Sequence, residues 1–362
     1  TSSTYTLTSA EEGKYIQAVI SYTDDEGFSE TVNTSPIEIK LNVRGDRIYT
    51  VVAGPSWTEA EANANKVGGN LASINDSNED TFVWTNIGIN ASYLGGENIS
   101  YDSNHVFLGG TDRDQEGTWK WLDETSISYS NWQPDQPDDG LSGEDYIVYQ
   151  GIGGIDGAGL YEGQWNDVRD EYYREQVTGA HIYGISETQF IRRGDSAYVV
   201  VEAPTWEEAE ANAVKLGGHL VTINDADENQ WLVDQYYGSG KLSESLINKN
   251  LWIGLTDKNT EGTWEWISGE SVDYLNWASD EPRSNHPEGN DDYGAIGLID
   301  YQSWRDLGDW VDSYNNAPSG IQFGIAEIQL APNNAPTGLP TISGSLEIGE
   351  TLTADISSIN DA

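Results

Sequence analysis

Two stretches of the chain set out apolar and polar positions in the same order. Tyr49-Thr50-Val51-Val52 and Tyr198-Val199-Val200-Val201 are short apolar runs that predict a strand. Trp57, Ala60, Ala64 and Val67 then recur at intervals of three and four, as do Trp206, Ala209, Ala213 and Leu216. That spacing places four apolar side chains on one helical face in each stretch. Gly68-Gly69 and Gly217-Gly218 follow, and glycine ends a helix because it accepts the left-handed conformation required there. A second helix is predicted after each polar start, Asp76-Ser77-Asn78-Glu79 and Asp225-Ala226-Asp227-Glu228. Beyond it come short Trp- and Tyr-rich strands broken by long polar loops. The expected fold class is α+β, with function carried on the loops.

The match between the two stretches continues. Gly117-Thr118-Trp119-Lys120-Trp121 pairs with Gly262-Thr263-Trp264-Glu265-Trp266, and Asn131-Trp132 with Asn276-Trp277. Each unit runs to about 140 residues, too long for a solenoid repeat and right for a whole domain. The expected division is domains at 44–190 and 193–330, flanked by 1–43 and 332–362. The flanks alternate apolar and polar residues around Tyr5-Thr6-Leu7-Thr8, Ala18-Val19-Ile20-Ser21-Tyr22 and Thr351-Leu352-Thr353, a strand pattern. They resemble the second and first halves of an immunoglobulin-like repeat of large bacterial surface proteins. With no opening Met, the chain is expected to be a segment of a longer one, and the two half-repeats to be able to pair with each other.

Composition narrows the function classes. The chain has 61 acidic and 17 basic residues, a net charge of −44, which repels phosphate backbones and excludes nucleic acid as an expected partner. Such a surface suits a salty medium that screens self-repulsion, and some of the carboxylates are candidates to hold calcium. With no Cys there is no disulfide, thiolate nucleophile or zinc–cysteine site. No apolar run approaches membrane-spanning length, so membrane insertion is not expected. The four His residues, 105, 181, 219 and 286, lack metal spacing. Gly151–Gly159 lacks the context of a phosphate loop and reads as a flexible insertion. Arg44-Gly45-Asp46 and Arg193-Gly194-Asp195 spell an integrin-recognition tripeptide, but each precedes a first strand and reads as a polar turn.

The strand–helix–Gly-Gly–helix opening, Trp252-Ile253-Gly254-Leu255, Asn276-Trp277 and, in the first unit, Phe107-Leu108-Gly109-Gly110 and Trp165-Asn166-Asp167 together resemble the C-type lectin domain family. The resemblance covers both units. It implies two tandem C-type lectin-like domains, no catalysis, and an extracellular or bacterial cell-surface setting. Members of the family usually carry two disulfides. Here Tyr146, Tyr293, Ser186 and Ala326 stand at such positions, so packing and bound ions must supply the stability.

Between Gln136 and Asp145 the first unit offers an amide oxygen and the carboxylates of Asp138, Asp139, Glu144 and Asp145, with Asn166-Asp167 following. Calcium takes six to eight hard oxygens of these kinds. The resemblance implies that Gln136, Asp138, Glu144, Asn166 and Asp167 form a sugar-binding Ca2+ site, with Pro137 in cis. Two sugar hydroxyls would complete the ion's shell, each donating to a carboxylate and accepting from an amide. Gln-Pro-Asp is the family's order for a galactose-type glycan ligand. Gly140 and Leu141 follow where galactose binders carry a stacking aromatic ring, which predicts weak, millimolar-range binding of a monosaccharide. Asp112 and Glu116, with Asp139, Glu144 and the backbone of Asp145, match the family's accessory calcium site.

In the second unit Glu281-Pro282-Arg283 stands at the sugar motif, and Trp304-Arg305-Asp306 is read as the counterpart of Trp-Asn-Asp. A guanidinium offers no acceptor and cannot ligate calcium, so loss of the sugar site is expected. Asp257, Glu261, Asp291 and Asp292 remain candidates for an accessory ion or plain surface acids, and Arg283 and Arg305 for an anion or protein contact. Two functions follow: calcium-dependent carbohydrate binding within a surface adhesin, or a calcium-stiffened protein-interaction or spacer module that binds no sugar.

Overall fold

The computed structural model describes residues 41–88, 105–140, 143–151, 161–170, 183–237, 250–283, 291–298, 306–315 and 321–331, with the backbone of short strands in both flanks. Each repeat forms its own mixed sheet. In the first, the spatial order of strands is Trp165–Val168, Tyr146–Tyr149, Val106–Thr111, Tyr183–Gln189, Arg47–Ala53 and Val43–Arg44. The closing strand Tyr183–Gln189 runs antiparallel to the opening strand Arg47–Ala53 along its whole length. Chain entry and exit are thereby joined at one edge, and the long polar loops lie between. The second repeat has the same order: Trp310–Ser313, Tyr293–Gly297, Asn250–Thr256, Phe323–Gln329, Ser196–Glu202 and Ile191–Arg193.

The helices follow the pattern that predicted them. Trp57–Lys66 buries Trp57, Ala60 and Ala64, and Ser56 caps it by accepting the Glu59 N–H. Trp206–Lys215 buries Trp206, Ala209 and Ala213, capped by Thr205. Asp76 and Asp225 cap the second helices, Ser77–Val83 and Ala226–Tyr236, where a carboxylate satisfies orphan N–H groups and favours the positive end of the helix dipole. Gly68 and Gly217 sit at φ +78° and +90°, the conformation their position past a helix end calls for.

Packing takes the place of cross-links. The Trp57 ring lies 4.6 Å from Tyr146 and its Nε1 donates to the Leu108 carbonyl at 2.7 Å. In the second domain Trp206 lies 4.9 Å from Tyr293 and donates to the Ile253 carbonyl at 2.7 Å. Ser186 and Ala326 are fully buried in the closing strands.

The two domains also pack on each other. One continuous apolar cluster includes Val52 and Val67 of the first domain and Val199, Leu216 and Ile328 of the second. Thr50 Oγ1 donates to the Lys215 carbonyl at 3.0 Å, and a Cβ added at Gly68 would lie 2.3 Å from the Val200 carbonyl oxygen. Equivalent faces of the repeats therefore meet. At this seam desolvation and the neighbouring Lys66 hold Lys215 below its ordinary pKa.

The Arg-Gly-Asp turns have a structural use. Arg44 pairs with Asp76 at 3.2 Å and Glu79 at 3.4 Å, and Arg193 with Glu228 at 3.1 Å, tying each turn to the cap of the second helix. In the flanks, strands pair within each flank: Tyr15–Ile16 with Ile37–Glu38, Val19–Thr23 with Ser29–Asn33, and Thr341–Ser343 with Thr353–Asp355. The rest of the half-repeat expectation, and the glycine-rich stretch Gly151–Gly159 beyond its first residue, lie outside the described residues.

Candidate functional site

The site in the first domain is built on one antiparallel strand pair. Tyr146–Tyr149 and Trp165–Val168 run with Ile147 opposite Asp167 and Val148 opposite Asn166. Glu144 and Asp145 lie just before the first strand, and the Glu144 carboxylate comes close to that of Asp167 on the second. Trp165 anchors this pair. It is fully buried, meets Trp121, Tyr129 and Trp132 edge-on at 5.7–5.8 Å, and donates from Nε1 to Asp80 Oδ1 at 3.3 Å. Asp80 also accepts from Tyr149 at 2.8 Å, Tyr129 at 3.1 Å and Asn131 at 2.8 Å. Burial raises the Asp80 pKa, and these four donors work against that rise.

Asp167 ties the 136–145 loop to the strand. Its Oδ2 accepts the backbone N–H groups of Asp138 at 3.1 Å and Asp139 at 3.0 Å. Its Oδ1 is buried without a hydrogen-bond partner, as are Gln136 Oε1 and Asn166 Oδ1. One carboxylate oxygen from each of Asp138, Glu144 and Asp167 lies within 4.8 Å of the others. The Gln136–Pro137 bond is cis. Burial raises the Asp167 pKa, and the Asp138 charge adds to the rise. Buried acceptors without donors are rare in native proteins. A hard cation is the partner that satisfies amide and carboxylate oxygens together, so the residues fit calcium.

A second group lies alongside. Asp112, Glu116 and Asp145 bring carboxylate oxygens within 4.8 Å of one another. Asp112 is 1% exposed; its Oδ2 accepts the Gly117 N–H at 2.8 Å, and its Oδ1 has no partner. Burial, with the charges of Glu116 and Asp145 adding, pushes its pKa up to about 6. The accessory set differs here from the sequence expectation. Asp145 joins through its carboxylate, and Glu144 belongs to the other group. Neighbours on an extended segment point to opposite sides. Asp139 enters neither group among the described residues. Its Oδ1 instead accepts the N–H groups of Gly143 at 2.6 Å and Glu144 at 3.2 Å, closing the loop on itself.

The second domain corrects the sequence alignment. The counterpart of Trp165 is Trp310, not Trp304. Trp310 bridges Trp277 in parallel as Trp165 bridges Trp132, and its Nε1 donates to Asn229 Oδ1 at 2.8 Å as Trp165 does to Asp80. Tyr293–Gly297 pairs with Trp310–Ser313 in the register of the first domain. Val311 and Asp312 therefore stand at Asn166 and Asp167, and an apolar side chain, not Arg305, replaces the amide; Arg305 itself lies outside the described residues. Trp310 follows Trp277 by the same 33 residues that separate Trp165 from Trp132, a spacing that reveals the match.

Asp257 repeats much of Asp112's setting. It is 3% exposed, accepts the Gly262 N–H at 2.8 Å, leaves Oδ1 without a partner, and has its pKa raised by burial. Yet Asp257, Glu261, Asp291 and Asp292 form no close carboxylate group among the described residues. Of the histidines, His219 contacts Glu210 at 2.6 Å and His105 contacts Gln150 at 3.1 Å, and neither belongs to a carboxylate group.

The family model "Lectin C-type domain" matches residues 54–177 and 202–314, more than half of the sequence. The chain belongs to the C-type lectin domain family. These C-type lectin domains are similar to a mouse C-type mannose receptor 2, 25% identical over 270 residues that cover 71% of this chain and 16% of the receptor. They are also similar to a perlucin-like protein of Mytilus galloprovincialis, 31% identical over 108 residues, covering 29% of this chain and 64% of that protein. The chain thus spans about a sixth of the length of the receptor it matches. Among solved structures, the C-type lectin CEL-I from Cucumaria echinata is 25% identical over 39% of this chain and 96% of its own, with a TM-score of 0.33. No helix among the described residues is long and apolar enough to cross a membrane.

Proposed function

We propose that the first domain binds carbohydrate through a calcium ion held by Gln136, Asp138, Glu144, Asn166 and Asp167. The observation that carries this reading is the trio of buried, partnerless oxygens on Gln136, Asn166 and Asp167 beside the converging carboxylates of Asp138, Glu144 and Asp167. Calcium supplies coordination sites that sugar hydroxyls complete. The chain's own groups do the recognition: carboxylate oxygens accept from the hydroxyls and the amide NH2 groups of Gln136 and Asn166 donate to them. With Gln136 ahead of Asp138, the reading favours a galactose-type ligand, bound weakly. The group of Asp112, Glu116 and Asp145 holds a second calcium that orders the loop. No step of catalysis is assigned to either group.

The similarity to a C-type mannose receptor supports a glycan ligand. The acidic surface and the immunoglobulin-like pattern of the flanks support placement in a large secreted or bacterial surface adhesin. The test is a glycan array probed in millimolar calcium and again with chelator, with Asp138→Ala alongside wild type. Binding that needs calcium and is lost in the variant supports the reading. Sugar binding that persists in chelator sinks it.

A further inference from the structure

The cis-proline loop of the second domain keeps the backbone geometry of the first and carries a cation where the first has a carboxylate. The Arg283 N–H donates to Asp312 Oδ2 at 2.6 Å, just as the Asp138 N–H donates to Asp167 Oδ2 at 3.1 Å. The side chains differ. Where the first domain has the Asp138 carboxylate, the second has the Arg283 guanidinium. It pairs through Nη2 with Asp280 and through Nε with Glu281 Oε1 at 3.3 Å. Glu281, at the place of Gln136, is 4% exposed at its side chain, while Arg283 is 45% exposed. A buried carboxylate needs a paired charge to stay ionised, and a guanidinium supplies a permanent one with directed donors.

We propose that Arg283 is a built-in cation standing where the first domain would hold its metal: the guanidinium offsets part of the charge of Asp280 and Glu281 and stiffens the loop, while the Arg283 backbone N–H ties the loop to Asp312 of strand Trp310–Ser313, whether or not calcium is present. Val311 removes the amide oxygen that the first domain offers at Asn166, so the second loop has lost ligands and gained their substitute. With carboxylates flanking the guanidinium, the arrangement does not serve an anion. The tandem pair therefore joins one loop whose order depends on metal to one whose order does not.

Hydrogen–deuterium exchange of the whole chain, read by mass spectrometry, tests this. Peptides spanning 278–283 and 310–313 are expected to exchange at the same rate in millimolar calcium and in chelator. Arg283→Met, which keeps the bulk and removes the charge, is expected to speed their exchange about tenfold, since a charge-assisted contact to a buried group is lost. Arg283→Lys, which keeps a cation, is expected to restore most of the protection. The proposal is overturned if calcium protects this loop in the wild-type chain, or if Arg283→Met exchanges no faster than wild type. It borrows the metal-binding reading of the first domain only for contrast. Peptides 136–145 that ignore calcium would defeat that reading, while the Arg283 variants would still report on the second domain.

Discussion

Asp167→Asn isolates the group on which the proposed calcium site turns. The substitution keeps the side chain's shape and removes its charge. In the native chain Oδ2 accepts two backbone N–H groups, from Asp138 and Asp139, and Oδ1 has no hydrogen-bond partner and faces the proposed ion site. An amide has one oxygen. If it faces the ion, its NH2 faces two donors and both hydrogen bonds are lost; if it faces the backbone, the ion loses a ligand. The residue is 2% exposed, so solvent offers little relief. Two hydrogen bonds to a charged acceptor, at about 1.5 kcal/mol each, amount to roughly 3 kcal/mol, or about a hundredfold in affinity. Isothermal titration with calcium is the assay, and Asp312→Asn is the control. Asp312 makes the same kind of backbone bond in the second domain but belongs to no close carboxylate group, so it should leave calcium affinity and stoichiometry unchanged. A dissociation constant for Asp167→Asn within about threefold of wild type, roughly 0.7 kcal/mol, would refute the reasoning.

Three further outcomes are expected. Calcium binding at the group of Asp112, Glu116 and Asp145 should be level above about pH 6 and weaken below it. Asp112 has its pKa raised to about 6, so protons compete with the ion as pH falls through that value. By the same shift, the stability Asp112 contributes to the metal-free fold is present below its unfolded value and lost as pH rises toward 6. Titrations at several pH values between 5 and 7 check this, and a flat profile contradicts it. Trp57→Ala should destabilise the first domain by about 3–5 kcal/mol, as buried aromatic truncations do, because it removes the contact with Tyr146 and the bond to Leu108; calorimetry should show a lowered transition. Gly68→Ala should lower the melting temperature more than Gly45→Ala. Both sites have positive φ, but only Gly68 has a backbone oxygen of the other domain, that of Val200, where the methyl would go, while Gly45 faces open space. Equal shifts would mean that the domains do not meet there.

Much of this arrangement was legible in the chain itself. The helices showed because their apolar positions repeat at the period of the helix and Gly and Asp mark their ends, signals that need no distant partner. The carboxylate clusters were foreshadowed by the density of oxygens from Gln136 to Asp145, and the change from acceptor to cation in the second loop by Arg283. The Trp304 alignment failed because it matched residue types, Trp-Arg-Asp to Trp-Asn-Asp, over a few positions. Which tryptophan enters the sheet is settled by pairing with Tyr293–Gly297 and by the Asn229 acceptor, partners far away in sequence.

Sequence alone determined the elements, the duplication and the supply of ligand atoms, because these rest on local periodicity and composition. Tertiary structure decided how the ligand atoms are shared out. It sent Glu144 and Asp145 to different carboxylate groups, turned Asp139 back on its own loop, and used one oxygen of Asp167 to hold the loop while burying the other without a hydrogen-bond partner. It also set Arg283 against Glu281 and joined the two domains across equivalent faces. The physical reason is that a carboxylate's role depends on which donors and charges surround it in space, and strand register brings those neighbours together from segments the sequence keeps apart.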